Sequence, residues 1–273
     1  MPKIAVLQMC SGIDPEANFA AIAEAVSAAA REGAVMLFTP EMSLLLDRDR
    51  ARGAAHIVSQ AQSPFVPRLA ALAQETGLTI ALGSMAVALP GDMSANRSML
   101  FTPGAAEPVT YDKIHMFDVE LATGEAWRES AAYAPGTAVV TVDDTPVGRL
   151  GLAVCYDLRF PALFGELGNR HCDVIALPAA FTRPTGEAHW HVMLRARAIE
   201  ASAFVIAAAQ VGEHEDGRAT YGHSLVIDPW GVVLLDMGGE APGLGFCDID
   251  LGRIAEVRAQ VPALANRRAI ATC

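Results

Sequence analysis

No apolar run in this 273-residue chain approaches the length of a membrane span; the longest, such as Phe204–Gln210, are strand-sized. The opening MPKIAVLQMC carries one Lys and a short apolar segment, and reads as a first β-strand. A signal peptide would need a longer apolar region and a small-residue cleavage site. The expectation is a cytoplasmic protein with no membrane partner. Paired cysteine spacing is also missing: the five cysteines are odd in number and none forms CxxC, which excludes a disulfide framework and a zinc ribbon. Positive charge is scarce. The net charge is −11, and the densest basic spots, Arg195/Arg197 and Arg267/Arg268, are pairs only, so nucleic acid is excluded as a partner. The glycine-rich MGGEAPGLG at 237–245 lacks the strand–GxGxxG–helix setting of a dinucleotide site and reads as a turn; no cofactor is expected.

What the chain does have is a large apolar fraction, 52% against 19% charged, which fits a folded protein with a sizeable core. Short β-branched runs alternate with alanine-rich amphipathic segments. The pattern predicts strands at Lys3–Met9, Ala34–Phe38, Thr79–Gly83 and Ser98–Phe101, with helices at Glu16–Glu32 and Pro64–Glu75. In the second half it predicts strands at Val139–Val142, Leu150–Val154, Val174–Leu177 and Phe204–Ala209, then Ser224–Asp228, Val232–Asp236 and Gly245–Asp248. Helices are predicted at Phe160–Leu167 and Trp190–Ser202. Hairpin-like pairs mixed with helical crossovers imply an α+β chain with mixed sheets and helices outside. Two halves join near Pro135–Gly136 without a linker, so residues 1–273 read as a single domain.

Three apolar runs stop just before a reactive side chain: AVMLFTPE delivers Glu41, VTYDK delivers Lys113 and LGLAVC delivers Cys155. Strand ends in α/β sheets are rigidly held yet face a crevice, which is where ligands bind. A sharp strand-to-helix turn at Cys155 would expose its sulfur and aim nearby N–H groups at a developing oxyanion. Taken singly, each residue has an ordinary reading: a loop carboxylate, a solvated lysine, a packing thiol.

Together with their neighbours they form a specific set. TPE at 39–41, YDKIHMFDVE at 111–120, RES at 128–130, GLAVCYDLRFP at 151–161 and LPAAF at 177–181 resemble the carbon–nitrogen hydrolase, or nitrilase, superfamily, over nearly the whole chain from Lys3 to about Arg267. The resemblance implies an αββα sandwich whose subunits dimerise, a Glu41–Lys113–Cys155 triad, and Glu129 as a second glutamate. In that scheme Glu41 takes the thiol proton and returns it to the leaving amine, since a free thiol with a pKa of about 8.5 needs a base. Lys113, while charged, stabilises the oxyanion together with the N–H of Tyr156. Glu129 orients Lys113 or assists proton transfer. The words AHWHVMLRARAIEASAFVIAAAQ at 188–210, ATYGHSLVIDPWG at 219–231 and PGLGFCDIDL at 242–251 look most like the Nit branch, which implies hydrolysis of deaminated glutathione to 2-oxoglutarate and cysteinylglycine. An ω-amidase acting on 2-oxoglutaramate is the alternative, followed by other amide, carbamoyl or nitrile hydrolases.

Such a substrate carries carboxylates, for which arginine is the natural partner. Arg159, four residues past the nucleophile, and Arg183, in the loop-like TRPTG, are the candidates, with Arg183 preferred; Arg159 has an ordinary alternative in pairing with Asp157. No histidine lies in a protease signature beside Cys155. His189 and His191 stand two apart, so they point apart on a helix and no ligand-spaced cluster follows; no metal is expected. Cys10, Cys172 and Cys247 read as packing residues and Cys273 as exposed. A non-enzymatic binding module on the same fold is the reading from a different class, weakened by the intact triad positions.

Overall fold

The computed structural model of the chain describes residues 1–120, 124 and 126–269; Cys273 lies outside them. The first half contains β1 (Lys3–Gln8), α1 (Pro15–Arg31), β2 (Met36–Phe38), α2 (Arg50–Gly53), α3 (Phe65–Thr76), β3 (Thr79–Ala88), β4 (Ser94–Phe101), β5 (Val109–Asp112) and a small hairpin, β6 (Asp118–Glu120) with β7 (Ala126–Arg128). The second contains β8 (Thr141–Thr145), β9 (Gly148–Leu152), α4 (Pro161–Asn169), β10 (Val174–Ala176), α5 (Arg183–Ala201) and β11 (Phe204–Ala207). It continues with the hairpin β12 (Val211–Glu213) and β13 (Ala219–Tyr221), then β14 (Leu225–Ile227), β15 (Val233–Asp236), β16 (Gly243–Asp248) and α6 (Gly252–Gln260).

Two six-stranded sheets result, ordered β16-β1-β2-β3-β4-β5 and β15-β14-β11-β10-β9-β8. β1, β2 and β3 run parallel, as do β9, β10 and β11, while the flanking strands are antiparallel. The period-two alternation of each central strand decides the layering. Ala5 and Leu7 face α1 and α3, where Phe19, Ile22, Val26 and Leu69 are buried. Ile4, Val6 and Phe38 point the other way, into a core shared with Val174, Ala176 and Ile206 of the second sheet. Leu163, Phe164, Leu194 and Ala198 of α4 and α5 complete that core from outside, giving an αββα sandwich.

α1 begins where Asp14 accepts a bond from the N–H of Glu16 at 2.9 Å, with Pro15 in the first turn. α3 stops at Gly77, whose φ of +70° ends the helix in the left-handed conformation. The halves join as expected near Gly136. Ala134 N–H still bonds Ser94 on the first sheet, and Val140 accepts from Leu152 on the second. β3 and β4 are longer than expected, and α5 starts at Arg183 rather than Trp190. Pro184 caused that difference: it reads as a loop signal but occupies the first turn of a helix, where its missing N–H costs nothing. Cys172 is buried, as expected. Cys10 is exposed, its Sγ against the Glu213 carbonyl rather than in the core, because it lies beyond the last core-facing residue of β1.

Candidate active site

The parallel strands deliver three side chains to one edge of the sandwich. Past β2, the Thr39 N–H still bonds Ala81 on β3 at 3.1 Å, so the turn into Glu41 is held to the sheet. β3 approaches this turn closely enough that a Cβ on Gly83 would collide with the carbonyl oxygens of Thr39 and Pro40. Lys113 follows β5 directly and anchors its N–H on Asn96 at 3.0 Å. β9 runs on through Val154 to Cys155, whose N–H donates to Pro178 at 2.8 Å. Cys155 has a φ of +49°, a left-handed conformation that costs a non-glycine residue about 1–2 kcal/mol. Strain of this kind at an elbow between strand and helical turn is a mark of a functional position.

Glu41, Lys113 and Cys155, with Glu129, line one cavity of about 910 Å³. Lys113 Nζ lies 3.0 Å from Glu41 Oε1 and 2.9 and 3.0 Å from the two oxygens of Glu129. Asn96, which carried no sequence signal, donates from Nδ2 to Glu41 at 2.9 Å and to Glu129 at 3.1 Å. The second oxygen of Glu41 accepts from the Ala180 N–H at 3.0 Å, and Glu129 accepts from Phe117 N–H at 2.6 Å. Gln210, fully buried, holds the Glu41 backbone carbonyl at 3.0 Å. Every polar atom of the pair of carboxylates is thereby oriented.

Electrostatics follow from this packing. Burial opposes charge on Lys113, but Glu129, Glu41 and Cys155 outweigh it and raise its pKa well above the usual value. Lys113 is a fixed cation, not a base. Burial pushes the Cys155 thiol well up; Glu41 adds to the rise, and Lys113 and the Ala180 N–H oppose it. The resting sulfur is a thiol beside a carboxylate, so a proton must move as it reacts.

The strand-to-helix elbow is pinned by Asp157, fully buried. Its Oδ2 accepts from Val154 N–H at 2.9 Å and from the Tyr111 hydroxyl at 2.7 Å, while Oδ1 meets His115 N–H at 3.1 Å and His115 Nδ1 at 2.7 Å. One carboxylate therefore ties the Cys155 turn to the residues on both sides of Lys113. Asp157 is thus unavailable to Arg159, which instead lies over Tyr156 and Phe181 and contacts His189 Nδ1 at 3.2 Å.

Arg159 and Tyr156 line the cavity; Arg183 does not. Arg183 instead begins α5, its side chain 46% exposed and paired at 3.8 Å with Glu213. Phe181, the end of LPAAF, lines the cavity, and so do Arg48, Trp127 and Arg218, which lie outside the quoted words.

The carbon-nitrogen hydrolase family matches residues 3–259 of the sequence. The chain belongs to the carbon–nitrogen hydrolase family. It is 39% identical over 272 residues to deaminated glutathione amidase of Homo sapiens, covering 98% of this chain and 83% of the human one. Against the protein of the same name from Yersinia enterocolitica it is 38% identical over 273 residues, covering 99% and 94%. The NitFhit protein of C. elegans superimposes with a TM-score of 0.89 at 34% identity, over 98% of this chain; the chain spans 65% of that protein. The architecture and the enzyme class, a hydrolase of carbon–nitrogen bonds other than peptide bonds, match the reading from sequence.

His191 does not stay alone, as spacing along the helix implied. Its Nε2 lies 3.1 Å from Asp236, whose other oxygen is 2.9 Å from His223 Nδ1. The three come from α5, β15 and the segment after β13, which no local spacing could reveal. Both rings are engaged by one carboxylate, at the surface rather than at the cavity.

Proposed function

We propose that this protein is a thiol amidase that hydrolyses deaminated glutathione to 2-oxoglutarate and cysteinylglycine, a metabolite-repair reaction. The observation that carries the chemistry is the contact of Lys113 with Glu41 and Glu129, each within 3.0 Å, in the cavity that Cys155 also lines. The relatives at 38–39% identity support the substrate. Cys155 Sγ attacks the amide carbonyl while Glu41 takes its proton. Lys113 and the Tyr156 N–H stabilise the oxyanion, and Glu41 returns the proton to the departing amine. Water, activated by Glu41, then cleaves the thioester. Glu129 keeps Lys113 charged and aimed. Arg159, stacked on aromatic faces on the same helical turn as the nucleophile, binds the carboxylate of the 2-oxo acid.

The protein acts as a single domain in the cytoplasm and as a homodimer. Support for the dimer is an apolar strip on α5 and the β14–β15 turn, where Val192, Ile199, Trp230, Val232 and Leu234 are exposed together. The test of the activity is release of cysteinylglycine from deaminated glutathione, with mass-spectrometric trapping of a 2-oxoglutaryl thioester on Cys155. A purified, folded protein that releases no cysteinylglycine would reject the substrate; an adduct on another residue would reject the nucleophile.

A further inference from the structure

Three segments that carry no reacting group meet at one wall of the cavity. Arg48 lies beyond β2, Trp127 on β7 and Arg218 just before β13, and all line the same cavity as Cys155. The guanidinium carbon of Arg48 is 5.4 Å from the centroid of the Trp127 ring and that of Arg218 is 5.0 Å, so two cations are braced on one indole. Asp216, its side chain fully buried, locks them together: Oδ2 accepts from the Arg48 backbone N–H at 2.9 Å and from Arg218 Nε at 2.7 Å. In this clamp two arginines share one bonded carboxylate, while the neighbouring Asp47 is taken up by Arg52 at 2.7 Å.

A row of aromatic rings leads from the turn of Cys155 to this clamp. Trp127 is one ring step of 6.2 Å from Phe117, and Phe117 one step of 5.1 Å from Tyr156, the residue after the nucleophile. Arg159, beside Tyr156 and Phe181, is the nearer cation and serves the acyl side. We propose that Arg48 and Arg218, braced on Trp127, bind the terminal carboxylate of a dipeptide leaving group and set the preference for such amides over primary amides. This rests on the amidase reading above and names the residues behind its substrate choice. A guanidinium pair recognises a carboxylate through charge-assisted, bidentate bonds, and binding energy far from the scissile bond can be used to lower the barrier there.

The test compares deaminated glutathione with the same molecule bearing a carboxamide in place of the glycine carboxylate. The wild-type enzyme should show kcat/KM at least about tenfold lower for the carboxamide, the size of a lost charge-assisted contact. Arg48 is exposed, so Arg48→Gln should keep the fold, checked by thermal melting, while the acid-to-carboxamide ratio falls towards one. Arg218→Lys should lower the ratio too. Equal wild-type efficiency on both compounds, or a ratio unchanged in both variants, would remove the clamp and leave the amidase reading standing. Turnover of 2-oxoglutaramate but of neither glutathione derivative would overturn the substrate reading itself, and the clamp with it.

Discussion

Around Lys113 two carboxylates face one ammonium, and burial first, with the neighbouring Glu41 adding to it, raises the Cys155 thiol. An excess of negative charge beside Cys155 works against a thiolate, and Lys113 only partly offsets it. In the proposed mechanism the carboxylate beside the thiol, Glu41, is also the group that deprotonates it. Glu41→Gln keeps the shape but cannot take the proton, so kcat should fall by about 10²–10⁴-fold with little change in melting temperature. The pH dependence follows with a definite sign. The Cys155 and Lys113 pKa values are both raised well above their usual ranges, so neither group titrates between about pH 6 and 9, given a reference thiol near 8.5. A plot of kcat/KM should be level across that window. A rise through pH 8–9 would show that a free thiolate is the reactive form and that Glu41 is not the base. Glu41, Lys113, Glu129 and Cys155 were legible because each closes or follows a strand within a recognisable word. Asn96 was not: it stands mid-strand in SANRS, and only folding brings its amide between two glutamates far from it in sequence.

Elements contribute precision more than chemistry. The turn after β9 and the β5 region around Lys113 come from opposite sheets, and Asp157 joins them with three bonds, to Tyr111 and His115, while a fourth, from Val154 N–H, holds its own turn. Burial and the adjacent Asp157 raise the Tyr111 pKa, so the hydroxyl stays a donor to that carboxylate. Asp157→Asn replaces one acceptor oxygen with an NH₂ group that faces donors, and should cost about 2–4 kcal/mol of stability. Because the loss loosens the elbow that holds Cys155, kcat should fall as well, although Asp157 touches no reacting atom. Urea unfolding and steady-state kinetics on the same preparation check both; a destabilised variant with wild-type kcat would confine Asp157 to a structural part. The elements missed in the sequence are those with little buried surface. α6 buries only Ile254 and Val257, and the hairpins β6–β7 and β12–β13 are short and largely polar, so no apolar period announced them. The start of α5 is hidden for a different reason: a proline fits a helix's first turn as well as a loop.

At the scale of the whole molecule, the two sheets bury one face on each other and the other beneath helices, and this leaves one outer surface out of character. α5 packs Trp190, Leu194 and Ala198 inward, yet exposes Val192 and Ile199 on its far side. Ile199 lies against Gly231, where an added Cβ would meet it at 2.7 Å, so the helix and the β14–β15 turn form one continuous apolar strip with Trp230 and Val232. A strip of this kind is costly in water at about 25 cal/mol per Å² of apolar area, and in the proposed homodimer a second copy of the same strip would remove that cost for both subunits. A two-fold contact brings each substituted side chain into the interface twice, once from each subunit. Ile199→Glu should therefore set two carboxylates into the interface at once and drive the dimer to monomers. Analytical ultracentrifugation of the wild type should give a mass near twice 28.7 kDa, and the variant a mass near 28.7 kDa. A wild type that sediments as a monomer would reject the dimer, and an Ile199→Glu protein that remains dimeric would move the interface off α5. If the strip does form the contact, α5 has a second task. Its first turn borders the cavity through Thr182 and Thr185, so the same helix links the subunit contact to the wall beside Phe181. The monomeric variant should then show a raised KM with its thermal stability lowered, rather than a selective loss of kcat.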